Sequence, residues 1–244
     1  MRETAHTFGG LTCRAVGTDV TPGAADLAVI LCHGYGAPGT DLLPLGHEIA
    51  ALAPKLRERA LFVFPETPLA IGPFEQFGGR AWWHLDIEAL AHAADSGSIG
   101  GFAESAPEGL DEAAEMLTAS IEEIVHATGL SVDRTVVGGF SQGSMVALDA
   151  ALRLRSSPAA LAIFSGIAIN KAAWESRARH HSGIQVLQTH GRQDPILPFG
   201  GALQLGELLR EAGLAVEFIE FEGGHTIPAR AVSRMAALLG SFTD

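Results

Sequence analysis

The residues whose types and spacing most clearly suggest chemistry are Gly139-Phe140-Ser141-Gln142-Gly143, a Gly-x-Ser-x-Gly pattern. An apolar β-branched run precedes this pattern and a helix-forming stretch follows it directly. That order predicts a nucleophile elbow, a strand-to-helix turn that holds the serine hydroxyl above the sheet edge in a strained backbone conformation. Gly139 and Gly143 suit the crowded turn because they have no Cβ. We therefore predict that Ser141 is a nucleophile rather than an incidental serine in a glycine-rich turn.

A serine hydroxyl needs a general base near neutral pH, usually a histidine that a carboxylate orients. Where a nucleophile elbow supports catalysis, the chain order is nucleophile, acid, histidine. Among the 10 histidines, His225 alone follows every plausible acid. Asp194, in a loop just past a predicted strand, is the predicted acid, and Glu220 and Glu222 are rivals that lie very close in sequence to His225. His190 precedes Asp194 and is expected to brace its loop rather than to serve as the base.

Two backbone N–H groups are predicted to stabilise an oxyanion. One belongs to Gln142, the residue after the nucleophile, and the other to Tyr35 in the loop from His33 to Gly39. The glycines of that loop also match the dinucleotide-binding pattern Gly-x-Gly-x-x-Gly. However, Pro38 stands where a helix should open, and no acidic residue ends a second strand about 20 residues further on. The oxyanion interpretation is therefore favoured.

The stretch from Leu69 to Pro107 lacks clear periodicity and is too long for a simple connection, which favours a functional cap loop. It is rich in aromatic residues, and four of them are predicted to bind substrate as the wall of an acyl pocket. These four are Phe74, Phe77, Trp82 and Trp83. The alternative is ordinary packing under a long loop. Residues Asn170 to Ser182 are a second candidate cap element, and the adjacent pair His180-His181 is not expected to bind a metal because neighbouring side chains face different ways.

Strand-length apolar runs alternate with helical patterns along the chain. The predicted strands are Phe8 to Val16, Leu27 to Cys32, Leu61 to Phe64, Arg134 to Phe140, Ala159 to Phe164, Ile184 to Leu187 and, nearer an edge, Val216 to Phe221. The predicted helices are Asp41 to Glu58 with a break at Pro54, Gly109 to Thr128, Ser144 to Arg155, Gly200 to Ala212 and Pro228 to Leu239. This alternation predicts an α/β fold with a mostly parallel, doubly wound sheet flanked by helices. Ligands in such sheets bind beyond the carboxyl ends of the strands, and the motifs of the predicted site fall at such ends.

Composition limits the function classes. The chain has 244 residues, which favours a single domain over residues 1–244, and its formal charge of -12 argues against a nucleic-acid partner. The two cysteines predict no disulfide framework, and no apolar run reaches the length of a membrane span. Residues Met1 to His6 show no apolar segment of a secretion signal, so a cytoplasmic location is expected. The oligomeric state stays open, with a homodimer as one option.

Taken together, these motifs resemble the phospholipase/carboxylesterase family of α/β-hydrolases, which includes acyl-protein thioesterases and bacterial carboxylesterases. The matching segments are His33-Gly34-Tyr35-Gly36, Arg80-Ala81-Trp82-Trp83, Gly139 to Gly143, His190-Gly191 with Asp194-Pro195, and Gly224-His225. The resemblance implies an α/β-hydrolase fold and hydrolysis of a small-molecule ester or thioester, with no metal and no cofactor. It also implies that Ser141, Asp194 and His225 form the catalytic triad.

Several functions remain open within this resemblance. The favoured one is a serine carboxylesterase that cleaves esters of small to medium acyl chains through an acyl-enzyme. The alternatives are a lysophospholipase or acyl thioesterase, and a hydrolase-fold protein that binds a ligand without turnover. A dienelactone-type hydrolase would have cysteine in place of Ser141. His84 and Leu85 precede Asp86 where the family often has aspartate earlier, and residues 97–107 look unlike a eukaryotic protein thioesterase, which argues against protein-thioester substrates.

Overall fold

A computed structural model describes residues 1–85 and 106–243, with the side chains of Pro73 and Phe74 outside the description. About half of the predicted cap loop from Leu69 to Pro107, residues 86–105, therefore lies outside the described residues. The same holds for Asp86 and for most of the 97–107 segment.

The described chain forms an eight-stranded sheet in the order β1-β2-β4-β3-β5-β6-β7-β8. The strands are β1 (Arg2–Phe8), β2 (Leu11–Gly17), β3 (Leu27–Cys32), β4 (Ala60–Glu66), β5 (Thr135–Phe140), β6 (Ala160–Phe164), β7 (Gln185–Gly191) and β8 (Ala215–Phe221). Strands β3 to β8 pair in parallel, whereas β1 and β2 are antiparallel to their neighbours. The mostly parallel sheet is confirmed, and β8 lies at an edge as predicted.

Helices cover both faces of this sheet. The described α-helices are α1 (Leu43–Leu52), α2 (Leu56–Arg59), α3 (Gly72–Glu75), α4 (Leu110–Thr128), α5 (Gln142–Arg153), α6 (Lys171–Ala178), α7 (Phe199–Glu211) and α8 (Ala229–Gly240). The predicted break at Pro54 separates α1 from α2, because proline lacks the N–H that a helix interior needs. Helix α4 ends at Gly129, whose φ of 69° is the left-handed conformation that glycine adopts at low cost.

Two apolar cores lie on opposite sides of the sheet. Helices α4, α5, α6 and α7 contribute to one core, and α1 and α8 contribute to the other. All six residues of β3 are buried, since this central strand has helices on both faces. Burial on both faces of a strand explains why the sequence has uninterrupted apolar runs rather than alternating polar and apolar residues.

The amino-terminal prediction was wrong in one respect. The segment from Phe8 to Val16 is not one edge strand but the turn and second strand of the β1–β2 hairpin. Gly9 and Gly10 form the two-residue turn with φ of 55° and 80°, a combination that glycine permits. Helix α6, within the stretch predicted only as a cap element, was also missed as a helix.

A buried carboxylate joins two of the helices that pack beside the sheet. Asp149 on α5 has no solvent-exposed side-chain surface. It accepts hydrogen bonds from Arg153 Nε at 2.5 Å, Trp174 Nε1 at 2.8 Å and Arg177 at 3.2 Å. Since Trp174 and Arg177 lie on α6, this carboxylate fixes α6 against the helix that begins at the elbow.

Replacing Asp149 with alanine should lower the free energy of unfolding by about 3–5 kcal/mol, because buried donors would lose their partner. Urea denaturation measures this loss. Glu115→Ala is the matched control, since Glu115 also approaches Arg153, at 4.0 Å, but is exposed, and it should change stability little. Equal small effects of the two substitutions would contradict this account of α6.

Candidate active site

Ser141 occupies the sharp turn between β5 and α5. Its φ of 54° and ψ of −124° lie outside the conformations that non-glycine residues commonly adopt. The turn is tight against β3: a Cβ added to Gly143 would lie 2.2 Å from the carbonyl oxygen of Cys32, and one added to Gly139 would lie 2.5 Å from it. The backbone N–H of Ser141 donates to the carbonyl of Phe164 at 2.8 Å. These contacts hold the serine in the geometry of a nucleophile elbow.

His225 and Asp194 lie in the loops that follow β8 and β7. His225 Nδ1 is 2.6 Å from Asp194 Oδ2. The other carboxylate oxygen accepts the backbone N–H groups of Ile196 and Leu197, both at 2.9 Å. Burial alone would raise the pKa of Asp194, but the hydrogen bonds from His225 and the Leu197 backbone lower it overall. The carboxylate is therefore ionised at neutral pH and orients His225 with Nε2 available to accept a proton.

His225 and Ser141 line the same cavity of about 200 Å³. The imidazole ring packs against Phe140, with 4.7 Å between ring centroids. The cavity thus contains a nucleophile candidate and an oriented base candidate, which is the arrangement that nucleophilic catalysis requires.

His190 braces the loop that contains Asp194, as predicted. Its Nε2 lies 2.7 Å from the carbonyl of Leu197 and 3.4 Å from Asp194 Oδ2. The side chain is fully buried, and burial lowers its pKa. A neutral imidazole that donates Nε2–H to the carbonyl fits both observations. His190 thus supports the acid, while His225 faces the cavity.

The loop that contains Tyr35 is held at both ends by backbone contacts. Gly36 N–H donates to the carbonyl of Arg80 at 2.8 Å, and Arg80 N–H donates back to Ala37 at 3.1 Å. Gly39 N–H donates to the carboxylate of Glu66 at 3.0 Å. Tyr35 itself lines the cavity beside Ser141. The predicted oxyanion donor is therefore on a constrained loop next to the serine.

The side chain of Gln142 has a role that sequence reasoning missed. Its Oε1 accepts the backbone N–H of Trp82 at 2.9 Å, and its Nε2 donates to the carbonyl of Trp83 at 2.8 Å. Trp82 Nε1 in turn donates to the carbonyl of His33 at 2.9 Å, and the two rings stack. The elbow and the Tyr35 loop are thereby connected through the tryptophan pair. The sequence signal for this role is weak, since it consists of one polar residue, Gln142, at the start of an apolar helix.

The cavity beside Ser141 is lined by a set of residues that differs from the predicted aromatic wall. The described lining residues are Gly34, Tyr35, Ala37, Asp41, Phe140, Ser141, Ile196 and His225. Trp82 and Trp83 are 3% and 2% exposed and line a separate cavity of about 460 Å³. Phe77 is 75% exposed, and the side chain of Phe74 lies outside the described residues. For the two tryptophans the structure favours the packing alternative, and Phe140 and Ile196 supply the apolar wall instead.

Comparison with known proteins identifies the family of the chain. Residues 20–241 match the model of phospholipase/carboxylesterase proteins. The chain belongs to the phospholipase/carboxylesterase family. Members are serine hydrolases, so the chain is a hydrolase that acts on esters.

Two relatives and two solved structures are similar to the chain. Acyl-protein thioesterase 1 of Eremothecium gossypii is 31% identical over 179 residues, which are 73% of this chain and 70% of that protein. The protein of the same name from Candida albicans is 24% identical over 208 residues, 82% and 84% of the two chains. Esterase PE8 superposes with a TM-score of 0.75 at 28% identity, covering 99% of this chain and 100% of that one. A carboxylesterase from Mesorhizobium loti superposes with a TM-score of 0.72 at 17% identity, covering 98% of this chain and 99% of that one. At this identity the similarity shows the shared fold alone.

The described residues also bear on membranes and metals. Within 1–85 and 106–243, no helix combines the length and the apolar character that crossing a bilayer requires. Across the same ranges, no group of three or more histidine, cysteine or acidic side chains is arranged to hold a metal ion.

If Trp83 is core, Trp83→Ala should lower the free energy of unfolding by about 3–5 kcal/mol and reduce kcat/KM alike for esters of every chain length. Phe77→Ala removes an exposed aromatic from the same stretch and should leave the unfolding midpoint nearly unchanged. Urea denaturation and a chain-length series of esters on both variants measure these effects. A shifted chain-length preference in Trp83→Ala without loss of stability would restore the pocket-wall interpretation.

Proposed function

We propose that the protein is a serine carboxylesterase that cleaves esters of small to medium acyl chains through an acyl-enzyme. The observation that supports this most strongly is the shared cavity of Ser141 and His225, with His225 hydrogen-bonded to an ionised Asp194. In this proposal Ser141 is the nucleophile, His225 the general base and Asp194 the group that fixes the tautomer and orientation of His225.

The reaction follows from these positions. Ser141 Oγ attacks the ester carbonyl carbon while His225 Nε2 takes the hydroxyl proton. The tetrahedral intermediate collapses, the bond to the leaving group breaks, and His225 gives its proton to the departing alcohol or thiol. A water molecule then attacks the acyl carbon while His225 Nε2 takes its proton. The bond between the acyl carbon and Ser141 Oγ breaks, and His225 returns the proton to Ser141, which releases the carboxylic acid.

Backbone N–H groups of Tyr35 and Gln142 are proposed to stabilise the negative charge on the carbonyl oxygen. Gln142 begins helix α5, whose first N–H groups have no partner within the helix and whose dipole favours an anion. Tyr35 lines the same cavity as Ser141, on the loop held by Arg80 and Glu66. Donors that are already in place need no reorganisation when charge develops.

The size of the cavity supports a small or medium acyl group. Its volume of about 200 Å³ is below the 300–1,000 Å³ range of drug-sized ligand sites, and Phe140, Ala37 and Ile196 give it apolar walls. Acyl thioesters are the second candidate substrates, because the curated relatives are acyl-protein thioesterases. A series of activated esters and matched thioesters separates the two, and no turnover of either would favour a binding protein.

Ser141→Ala should abolish ester turnover, with a loss of roughly 10⁶-fold in kcat, because the groups of a triad act as a unit. The unfolding midpoint should stay close to that of the unchanged protein. A fluorophosphonate should label Ser141 in the unchanged protein, as located by peptide mass spectrometry. Ser144→Ala is the matched control, and labelling that disappears there instead would contradict the assignment.

His225→Ala should lower kcat nearly as much as Ser141→Ala, whereas the double variant should lose little more than either single variant. Asp194→Asn should cost about 10⁴-fold, since an amide favours the wrong histidine tautomer. If His190→Ala eliminated the chemistry while His225→Ala retained it, His190 would be the base.

Tyr35→Pro removes the proposed oxyanion donor and should reduce kcat by about 10²–10³-fold. Tyr35→Phe keeps the N–H and should cost far less. Thermal unfolding of the proline variant must be compared with that of the unchanged protein, because proline can distort the turn. Equal losses of kcat in two well-folded variants would assign the role to the phenol rather than to the amide.

A further inference from the structure

One charged side chain in the cavity has no part in the mechanism above. Asp41 lines the cavity together with Ser141, His225 and Tyr35. Among the described lining residues no lysine or arginine accompanies it. The cavity therefore combines apolar walls with one carboxylate.

The Asp41 side chain is not engaged as a helix cap or in an ion pair with an arginine or histidine of the described residues. The residue is exposed and lies directly before Leu42, the N-cap of helix α1, and no side-chain hydrogen bond caps that helix. In the part of the chain that the structure describes, no arginine or histidine lies within salt-bridge distance of it. The nearby Arg80 is paired instead with Glu66 at 3.8 Å.

The backbone fixes Asp41 beside the reacting centre. Asp41 N–H donates to the carbonyl of Pro38 at 3.0 Å, and Ala37 N–H donates to Gly34 at 3.3 Å, so two consecutive turns lead from the oxyanion loop to Asp41. The Asp41 carboxylate also acts on a buried group. Burial lowers the pKa of His33, and the negative charge of Asp41 acts in the opposite direction. A substrate bound at Ser141 is thus within the electric field of this carboxylate.

We propose that Asp41 is a specificity-determining residue that favours esters and thioesters with a positive charge near the reacting carbonyl and disfavours anionic ones. This inference rests on the proposed hydrolysis at Ser141. The Asp41 carboxylate is exposed at the cavity. It attracts a cation and repels an anion within a few ångströms, and this effect is strongest at low ionic strength, where salt screens it least. The overall charge of -12 acts in the same direction over longer distances.

The test uses three thioacetates whose thiols have similar shape and different charge. The cationic one is acetylthiocholine, the neutral one is its 3,3-dimethylbutyl analogue, and the anionic one is the thioacetate of 2-sulfonatoethanethiol. Thiol release gives kcat/KM for each substrate at low ionic strength. Comparing each variant with the unchanged protein cancels the intrinsic reactivity of the three thioesters.

Asp41→Asn should decrease the ratio of kcat/KM for the cationic over the anionic substrate by roughly tenfold, and Asp41→Glu should largely keep the ratio. Asp41→Ser is a second neutral variant in case Asp41→Asn does not fold. Asp133→Asn is the matched control, since it removes one exposed carboxylate at the start of β5, the opposite end of the strand from Ser141.

The outcomes separate this inference from the proposed function. An unchanged ratio in Asp41→Asn or Asp41→Ser, or an equal decrease in Asp133→Asn, would overturn the role of Asp41 even if all three thioacetates are hydrolysed. If the unchanged protein hydrolysed neither the neutral thioacetate nor the corresponding oxygen ester, the proposed function itself would fail. A decrease confined to the neutral Asp41 variants supports the inference.

Discussion

The strained backbone of Ser141 is the constraint on which the rest of the site depends. A φ of 54° in a non-glycine residue persists only where the surroundings determine the conformation. Here β3 lies so close that glycine is required at both Gly139 and Gly143, and the Ser141 N–H is bonded to Phe164. The parallel sheet thus fixes the position of the hydroxyl before any substrate binds.

Two separate hydrogen-bond networks position the residues around this turn. One begins at Gln142, whose side chain holds the backbone of Trp82 and Trp83 and, through Trp82, the carbonyl of His33. The other lies beyond the carboxyl ends of β7 and β8, where His190, Leu197 and Asp194 form a hydrogen-bonded loop that orients His225. The first network supports the loop that contains the proposed oxyanion donor Tyr35, and the second supports the proposed base His225.

The sequence predicted the features that local pattern and chain order determine. Apolar runs of strand length identified β3 and β5, and the order of nucleophile, acid and histidine identified the residues that the structure brings together as Asp194 and His225. Side-chain roles that depend on long-range partners were not predictable. In the sequence, Trp82 and Trp83 give the same aromatic signal whether they pack or bind substrate. Their burial and their bonds to Gln142, about 60 residues away, favour packing. Ile196 and Asp41 line the cavity from turns between regular elements, where the sequence has no periodic pattern that would predict their position.

The most direct test of this account is whether an acyl group becomes attached to Ser141 during turnover. The unchanged protein is mixed with an activated ester, quenched in acid after milliseconds, digested and analysed by mass spectrometry. We expect the mass of the acyl group on the peptide that contains Ser141, together with a burst of alcohol equal to the enzyme concentration. Steady ester hydrolysis with no burst and no acylated Ser141, or with the acyl group on another residue, would contradict it.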